Sequence, residues 1–280
     1  MIKINGKSVE IGKFPDGTAL IKCDPRKYTT TSYAKFSWYY EDDAELLTLT
    51  YLVKHFRAHG IGELYLYMPY IPNARMDRVK NLEDVFTLKY FAEILNDLNF
   101  TQIDVFDPHS SVSEALINNL YVYNPMSCIR QVLEKIPVRF GVMENHMTFD
   151  KKEIYSLTMF YPDEGAMKRY AGMVDLPYAF GIKKRDWKTG KIEGLDVAGA
   201  VDQIAGKDIL IVDDICSRGG TFYHSAKKLK ELGAKDIYLY VSHCENTILE
   251  GDLLKGDLIK KVFTTNTIFT KSHEKVEVLG

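Results

Sequence analysis

A short segment in the second half of the chain combines acids, glycines and hydroxyls in a pattern suited to a sugar phosphate. Two adjacent carboxylates, Asp213 and Asp214, follow an apolar run at 209–212, and a polar segment at 217–221 comes next. Ligands of open α/β sheets bind beyond the carboxyl ends of strands, and a glycine-rich turn that opens a helix offers backbone N–H groups to a phosphate. The pattern predicts that the carboxylates accept hydrogen bonds from ribose hydroxyls. The phosphate-binding residues would be Ser217, Arg218, Gly219, Gly220 and Thr221.

The alternative is an ordinary strand-to-helix corner whose carboxylates are solvated. Neighbouring acids at the end of a buried strand cost stability unless a ligand or a cation uses them. The two glycines also suit binding, because they let a ligand approach the backbone closely. We therefore interpret the segment as a binding site.

Other polar residues that follow predicted strands suit an anionic ligand. Arg75 and Arg78 can grip a polyphosphate, although exposed arginines are often merely solvated. Asp163 offers the oxygen ligand that Mg²⁺ prefers, or it caps a helix, or both. The glycine-punctuated segment 183–194 suits a mobile lid, and the alternative is a solvated loop. His109 follows Asp-Pro at another strand end, where a lone histidine is more often structural than functional.

The elements that must position these residues are visible in the apolar periodicity. Leu49, Val53 and Phe56 lie on one face of a predicted helix, and a strand-like run follows at 64–68. Strands that alternate with helices in this way imply βαβ units and parallel sheets in each half. Further predicted elements are helices at 88–95, 113–120, 166–174 and 222–232 and strands at 103–106, 154–160, 178–182, 209–212, 237–241 and 261–263.

This alternation predicts an α/β fold of two similar domains, each a mostly parallel sheet flanked by helices. A length of 280 residues agrees with two domains of ordinary size. We place the boundary after residue 135, so the predicted domains are 1–135 and 136–280.

Charge and apolar content exclude some classes of function. The chain has 36 Lys and Arg against 38 Asp and Glu, a net charge of -2, so we expect no nucleic-acid or membrane coat. No apolar stretch is long enough for a spanning helix, and the first residues do not read as a secretory signal. The four cysteines are scattered and form no zinc pattern, so a reducing cytoplasm is the expected location.

Seven segments, in order over almost the whole chain, resemble the ribose-phosphate pyrophosphokinase family, which makes 5-phosphoribosyl-1-pyrophosphate (PRPP). The segment 212–221 resembles a PRPP-binding motif that this family shares with type I phosphoribosyltransferases. The N-terminal half of the chain distinguishes between the two families. There, Ala74-Arg75-Met76-Asp77-Arg78 is similar to the family's A-R-Q-D-R. The other similar segments are Phe14-Pro15-Asp16-Gly17, Asp107-Pro108-His109, residues 162–166, Lys183-Lys184-Arg185 and Thr265-Asn266-Thr267.

The resemblance implies a transferase of nucleotide biosynthesis with a phosphoribosyltransferase-like fold. It would move the β,γ-diphosphoryl group of ATP, with Mg²⁺ as cofactor, to the 1-hydroxyl of ribose 5-phosphate. Residues 1–135 would form the ATP-binding domain, and 136–280 would bind ribose phosphate and carry the lid.

The resemblance also implies roles for particular residues. Lys183 and Arg185 would close over ATP and act in catalysis with His109, and His109 and Asp163 would lie at the metal. Phe14 would stack on adenine at a neighbouring subunit's ATP site, which implies a homo-oligomer. The implied ATP-binding residues are Phe14, Asp16, Arg75, Asp77, Arg78 and His109.

Three departures from the family pattern keep alternatives open. Thr18 and Met76 replace a Glu and a Gln in two nucleotide segments, and Ser217-Arg218 replaces the usual Asp-Thr pair in the phosphate turn. An extended acceptor such as ADP-ribose is one alternative, since Arg218 could meet its second phosphate. A PRPP-consuming transferase would have no use for the Arg75 and Phe14 segments. A non-catalytic synthetase-associated subunit is disfavoured because the lid lysine, His109 and Asp163 are all present.

Overall fold

The computed structural model describes residues 1–137, 140–144, 151–185 and 192–279, with only the backbone described at 140–144, 151–155, 183–185 and 192–193. The chain divides into two compact units, Met1–Asn124 and Pro125–Gly280. The predicted boundary at 135 differs from this division by one helix. That helix belongs to the second unit, because its Ile129 and Val132 are buried in the same core as Leu157.

The first unit is an α/β domain whose main sheet has six strands. Its largest buried side chains include Trp38, Phe36 and Phe56. Its strands are β1 (Ile2–Ile4), β2 (Lys7–Ser8), β3 (Glu10–Lys13), β4 (Ala19–Lys22), β5 (Tyr33–Trp38), β6 (Glu63–Tyr67), β7 (Gln102–Phe106) and β8 (Leu120–Tyr123), and its α-helices are α1 (Ala44–Ala58), α2 (Thr87–Asp97) and α3 (Ser111–Leu116).

The order of the main sheet is β2-β1-β5-β6-β7-β8, and β5 to β8 are parallel. Strand β5 alternates in burial, with Ala34, Phe36 and Trp38 buried, as a strand packed on one face requires. The predicted stripe of α1 is confirmed, since Leu49, Val53 and Phe56 are buried. Strands β3 and β4 form a separate antiparallel hairpin.

The second unit is a second α/β domain, with a seven-stranded sheet. Strands β11, β14 and β15 lie near its centre, are rich in apolar residues and are almost wholly buried, as in sheets covered on both faces. The described part contains the helices α4 (Met126–Lys135), α5 (Glu164–Tyr170) and α6 (Gly220–Glu231) and the strands β9 (Phe140–Glu144), β10 (Lys151–Tyr155), β11 (Leu157–Tyr161), β12 (Tyr178–Arg185), β13 (Ile192–Gly199), β14 (Asp208–Cys216), β15 (Ile237–Cys244), β16 (Lys261–Thr264) and β17 (Val276–Val278).

This sheet has the order β13-β12-β11-β14-β15-β16-β17. All its neighbouring strands are parallel except β13, which is antiparallel to β12. The prediction of two mostly parallel sheets flanked by helices is therefore confirmed. In the described part of the chain, no helix is long and apolar enough to cross a membrane.

Several predicted element bounds are wrong. The single strand at 154–160 is two strands separated at Ser156, because β10 pairs with β9 while β11 enters the main sheet. The helix at 166–174 begins two residues earlier and ends at Tyr170. The helix at 113–120 ends at Leu116, since Leu120 starts a strand that pairs with β7.

Candidate active site

The carboxyl edge of the second sheet collects most of the predicted ribose-phosphate residues. Strands β11, β14, β15 and β16 are parallel, so the segments that follow them meet at one edge. Asp213 and Asp214 lie inside β14 rather than after it. The strand continues to Cys216 because its ladder with β15 extends that far, pairing Cys216 with Cys244.

Three carboxylates converge at this edge. Asp214 is 4% exposed, and its backbone N–H donates to Asp213 Oδ1 at 3.0 Å. Burial, together with the negative charges of Asp214 and Asp163, raises the pKa of Asp213 well above its ordinary value. Such a group of acids favours protons, hydroxyl donors or cations.

One cation at this edge comes from helix α5. Arg169 Nη1 lies 3.4 Å from Asp214 Oδ2, and the two side chains are only 28% and 5% exposed. Arg169 could not be identified from the sequence, because Lys168-Arg169 at the end of a helix is typical of a solvated surface. No local motif connects it to an acid 45 positions further along the chain.

Asp163 caps helix α5. Its Oδ1 accepts the backbone N–H of Ala166 at 3.1 Å, so the capping role considered from the sequence is confirmed. A capping carboxylate can still offer an oxygen to a cation. Among the described residues, no three His, Cys, Asp or Glu side chains are arranged to hold a metal ion.

The glycine turn opens helix α6 as predicted. Gly219 is the N-cap with a φ of 80°, which favours glycine, and α6 begins at Gly220. A Cβ on Gly219 would lie 2.7 Å from Leu253 Cδ2, so this turn is packed against the core. The first backbone N–H groups of the twelve-residue helix therefore lie beside the turn, where they suit an anion.

Two side chains of the turn are paired with acids instead of pointing to an open site. Ser217 Oγ donates to Glu245 Oε2 at 2.8 Å. Arg218 Nη2 lies 2.9 Å from Glu250 Oε2 in an exposed ion pair. Glu245 and Glu250 were missed in the sequence, because they follow the next strand and only the sheet brings them near the turn. Thr221 is exposed at the start of α6.

The late Thr265-Asn266-Thr267 segment braces the end of β15. His243 is 1% exposed, and one of its ring nitrogens, Nδ1, lies 2.9 Å from Thr267 Oγ1. Thr265 Oγ1 donates to the carbonyl oxygen of Ser242 at 2.7 Å. These bonds hold the end of the strand that precedes Glu245, so the segment helps to position Glu245 beside the turn.

In the first unit, three of the predicted ATP-binding residues lie together. Arg78 donates to both carboxylate oxygens of Asp77, at 2.8 Å and 3.2 Å. Burial acts to raise the pKa of Asp77, but these hydrogen bonds and the charges of Arg78 and His109 outweigh it, so the pKa is lowered. His109 is therefore within electrostatic reach of Asp77. Arg75 is exposed on the same segment.

Phe14 and Asp16 lie in the turn of the β3–β4 hairpin. Phe14 is 48% exposed, an unusual position for a phenyl ring. Asp16 Oδ1 accepts hydrogen bonds from the backbone N–H and the hydroxyl of Thr18, at 3.0 Å and 2.7 Å, and these bonds lower the pKa of Asp16. Thr18, one of the departures from the family pattern, thus shapes the turn that presents Phe14.

The lid residues are only partly described. The backbone of Lys183 and Arg185 lies in β12, paired with β13, and the register shifts between Lys184 and Arg185. Their side chains, and all of 186–191, lie outside the described residues. The segment 183–194 is therefore strand at both ends. Strand β12 pairs with β11 only over Tyr178–Phe180, and its later residues pair with β13 instead.

Comparison with known proteins identifies relatives over nearly the whole chain. The model of the phosphoribosyl synthetase-associated domain matches residues 193–278. The ribose-phosphate pyrophosphokinase of Pyrococcus abyssi is 28% identical over 275 residues, which cover 94% of this chain and 85% of that protein. The enzyme of the same name from Clostridium tetani is 26% identical over 282 residues, 98% of this chain and 82% of that protein.

The fold is also found among solved structures. Phosphoribosylpyrophosphate synthetase from Mycobacterium smegmatis superimposes with a TM-score of 0.73 at 18% identity, covering 97% of this chain and 85% of that one. This similarity concerns the fold. The sequence relatives show separately that the chain is similar to ribose-phosphate pyrophosphokinases over nearly its whole length.

Proposed function

We propose that this protein is a ribose-phosphate diphosphokinase that converts ATP and ribose 5-phosphate to PRPP and AMP. The observation that carries the proposal is the carboxylate pair of β14 followed by the glycine turn of α6. These groups lie at the carboxyl edge of a parallel sheet, in a chain whose relatives are named ribose-phosphate pyrophosphokinases.

The ribose end of the site uses two kinds of group. Asp213 and Asp214 accept hydrogen bonds from the 2- and 3-hydroxyls, which compensates for burying the carboxylates. The backbone N–H groups at Gly219, Gly220 and Thr221 bind the 5-phosphate at the N-terminus of α6. The side chains of Ser217 and Arg218 bind the phosphate only if it displaces their present partners, Glu245 and Glu250.

ATP binding uses residues of the first unit. Phe14 stacks on the adenine, a role that suits its exposed ring. Arg75 and Arg78 bind the nucleotide, with Asp77 holding the Arg78 guanidinium and Asp16 shaping the Phe14 turn. His109 lies near the phosphates.

The reaction is a displacement at phosphorus. The 1-hydroxyl oxygen of the sugar attacks the β-phosphorus of ATP, the bond from that phosphorus to the α,β-bridging oxygen breaks, and AMP leaves. Lys183 and Arg185 neutralise charge on the transferring group, and the hydroxyl proton passes to solvent. The main contribution of the protein is to position the reactants.

The carboxylate oxygens at the ribose edge fit Mg²⁺, which takes one or two protein carboxylates together with water and substrate phosphates. Asp163 would hold the ion, and the resemblance implies a metal-binding role for His109 as well. A bound Mg²⁺ would neutralise phosphate charge.

A second candidate acceptor is ADP-ribose. Its 5-phosphate is part of a diphosphate and carries about one negative charge, whereas a terminal phosphate carries almost two at neutral pH. Glu245, which accepts a hydrogen bond from the neutral Ser217 hydroxyl beside the turn, repels the second charge, which favours the extended acceptor.

Release of AMP tests both candidates. Purified protein is incubated with ATP, Mg²⁺ and either ribose 5-phosphate or ADP-ribose. AMP with ribose 5-phosphate supports the main proposal, and AMP with ADP-ribose alone supports the second. No AMP with either sugar refutes both and favours a non-catalytic synthetase-associated subunit.

The catalytic role of the lid is tested by Lys183→Ala. Turnover should fall far more than the affinity for either substrate, because the lysine acts in the transition state. Lys255→Ala is the matched control, since Lys255 is an exposed lysine that pairs with Asp252. Equal turnover of the two variants would refute the assignment.

The proposal includes a cytoplasmic homo-oligomer with an ATP site shared between subunits. None of the four cysteines forms a disulfide, which supports a reducing location. Mixing the inactive variants Phe14→Ala and Lys183→Ala should restore part of the activity, since some mixed sites would have both wild-type residues. Unchanged inactivity after subunit exchange would refute the shared site.

A further inference from the structure

Helix α5 connects two charged residues of the carboxyl edge. Asp163 caps its first turn, and Arg169 lies in its last turn. The helix is only seven residues long, so the two side chains are fixed relative to each other. A shift of α5 would therefore move one carboxylate and one cation of this edge together.

The guanidinium of Arg169 is held by an aromatic stack. Its central carbon lies 4.9 Å from the centre of the Tyr170 ring. Tyr170 in turn stacks on Tyr161 at the end of β11, with ring centres 6.4 Å apart and planes inclined by 24°. Both tyrosines are almost completely buried. A planar cation over a fixed ring has few alternative orientations.

From this position Arg169 is directed at a carboxylate. Nη1 lies 3.4 Å from Asp214 Oδ2, and the Asp214 side chain is 5% exposed. An ionised carboxylate at such burial is costly without a positive partner, and two further acids stand nearby. A guanidinium at this distance offsets part of the cost and favours the carboxylate form of Asp214, which is the form that accepts two hydroxyl hydrogen bonds.

We propose that Arg169 is a positioning residue for sugar recognition, which holds Asp214 ionised and oriented toward the ribose hydroxyls. This inference rests on the proposed function, and it deepens it by adding a residue that acts through Asp214. Because the guanidinium faces a protein carboxylate, its loss should weaken sugar binding while the chemical step and ATP binding change little.

The experiment measures AMP release at saturating ATP and Mg²⁺ while the sugar concentration varies. Arg169→Gln should raise the KM for the sugar on the order of 10- to 100-fold, the range for losing one partner of a partly buried charge pair. The kcat and the KM for ATP should change less than about threefold. Arg169→Lys should recover part of the loss, since it keeps the charge but not the planar stack.

Two comparisons separate positioning from damage to the fold. Lys168→Gln is the matched control, because Lys168 is the neighbouring exposed cation on the same helix and pairs with Glu164; its KM should equal that of the wild type. In an Asp214→Asn background, Arg169→Gln should have little further effect on sugar binding, because no charge remains to hold.

The outcomes distinguish this inference from the proposed function. If the wild-type protein releases AMP and Arg169→Gln has an unchanged KM for the sugar, the positioning role is wrong and the function stands. An equal rise of both KM values, or the same loss in the Asp214→Asn background, also overturns it. No AMP from the wild type refutes the proposed function itself, and direct titration of ribose 5-phosphate into wild type and Arg169→Gln then tests positioning alone: equal affinity would overturn it.

Discussion

Gly219→Ala should destabilise the second unit more than a change at any surface glycine would. Gly219 has a φ of 80°, and an L-residue in this left-handed region costs about 1–2 kcal/mol. A Cβ there would also lie 2.7 Å and 2.9 Å from Leu253 Cδ2 and Cβ. Leu253 is completely buried in the core, so it cannot yield easily, and overpacking of this kind costs about 1–3 kcal/mol.

The two contributions predict a loss of about 2–5 kcal/mol in the free energy of unfolding. Gly220→Ala is the matched control one residue away. No atom lies within 4 Å of a Cβ at Gly220, its φ is not positive, and alanine is favoured over glycine in a helix by up to about 1 kcal/mol. Its stability should therefore equal or slightly exceed that of the wild type.

Urea denaturation of the three proteins measures the difference, with circular dichroism and tyrosine fluorescence as probes. A thermal scan should show a midpoint lower by about 4 °C or more for Gly219→Ala, taking about 2–4 °C for each kcal/mol in a chain of this size. Equal midpoints for the two variants would refute the reasoning, because they differ only in the backbone conformation and in the contact with Leu253.

Three further predictions concern the same edge. Gly251→Ala should disrupt the turn and lower the melting temperature strongly, because its Cβ would lie 1.8 Å from the carbonyl oxygen of Arg218; a wild-type melting curve would contradict this. Asp213→Asn should stabilise the protein at pH 8 but not near pH 3.5: the raised pKa of Asp213 means that the native state favours its protonated form, so the wild type loses this stability as the pH rises above the ordinary pKa. Urea midpoints at the two pH values check the sign. Glu245→Gln should lower the KM for ribose 5-phosphate in the AMP assay, since it removes a negative charge beside the phosphate turn, and an unchanged KM would count against repulsion there.

The sequence was sufficient to predict the local structure of the segment that carries the candidate site. Asp213, Asp214 and Gly219 lie within seven residues, and the apolar run before them predicts the strand that holds them. The left-handed φ of Gly219 agrees with the expected turn. The two mostly parallel sheets also follow from the apolar residues, whose spacing alternates along the chain between that of a strand and that of a helix. A βαβ unit is itself a local pattern.

Partners that only the sheet brings together could not be predicted. Glu245 reaches Ser217 because β14 and β15 are paired in register, which no spacing in the sequence reveals. Arg169 reaches Asp214 through the packing of α5 on β11. Register also explains the error at 154–160: an apolar run does not show that its first residues pair with one strand and its last residues with another.

The distribution of charge along β14 and α6 predicts which sugars the proposed site would accept. Asp213 and Asp214 lie on the strand with Asp163 nearby, and the N–H groups of the turn lie several residues further on. Carboxylates accept hydroxyls but repel phosphate, whereas the turn attracts it. A sugar with a phosphate at one end and free hydroxyls at the other satisfies both ends at once. A sugar phosphorylated on its 2- or 3-hydroxyl would place its anion against buried acids, and Arg169 cannot compensate for it because it is already paired with Asp214.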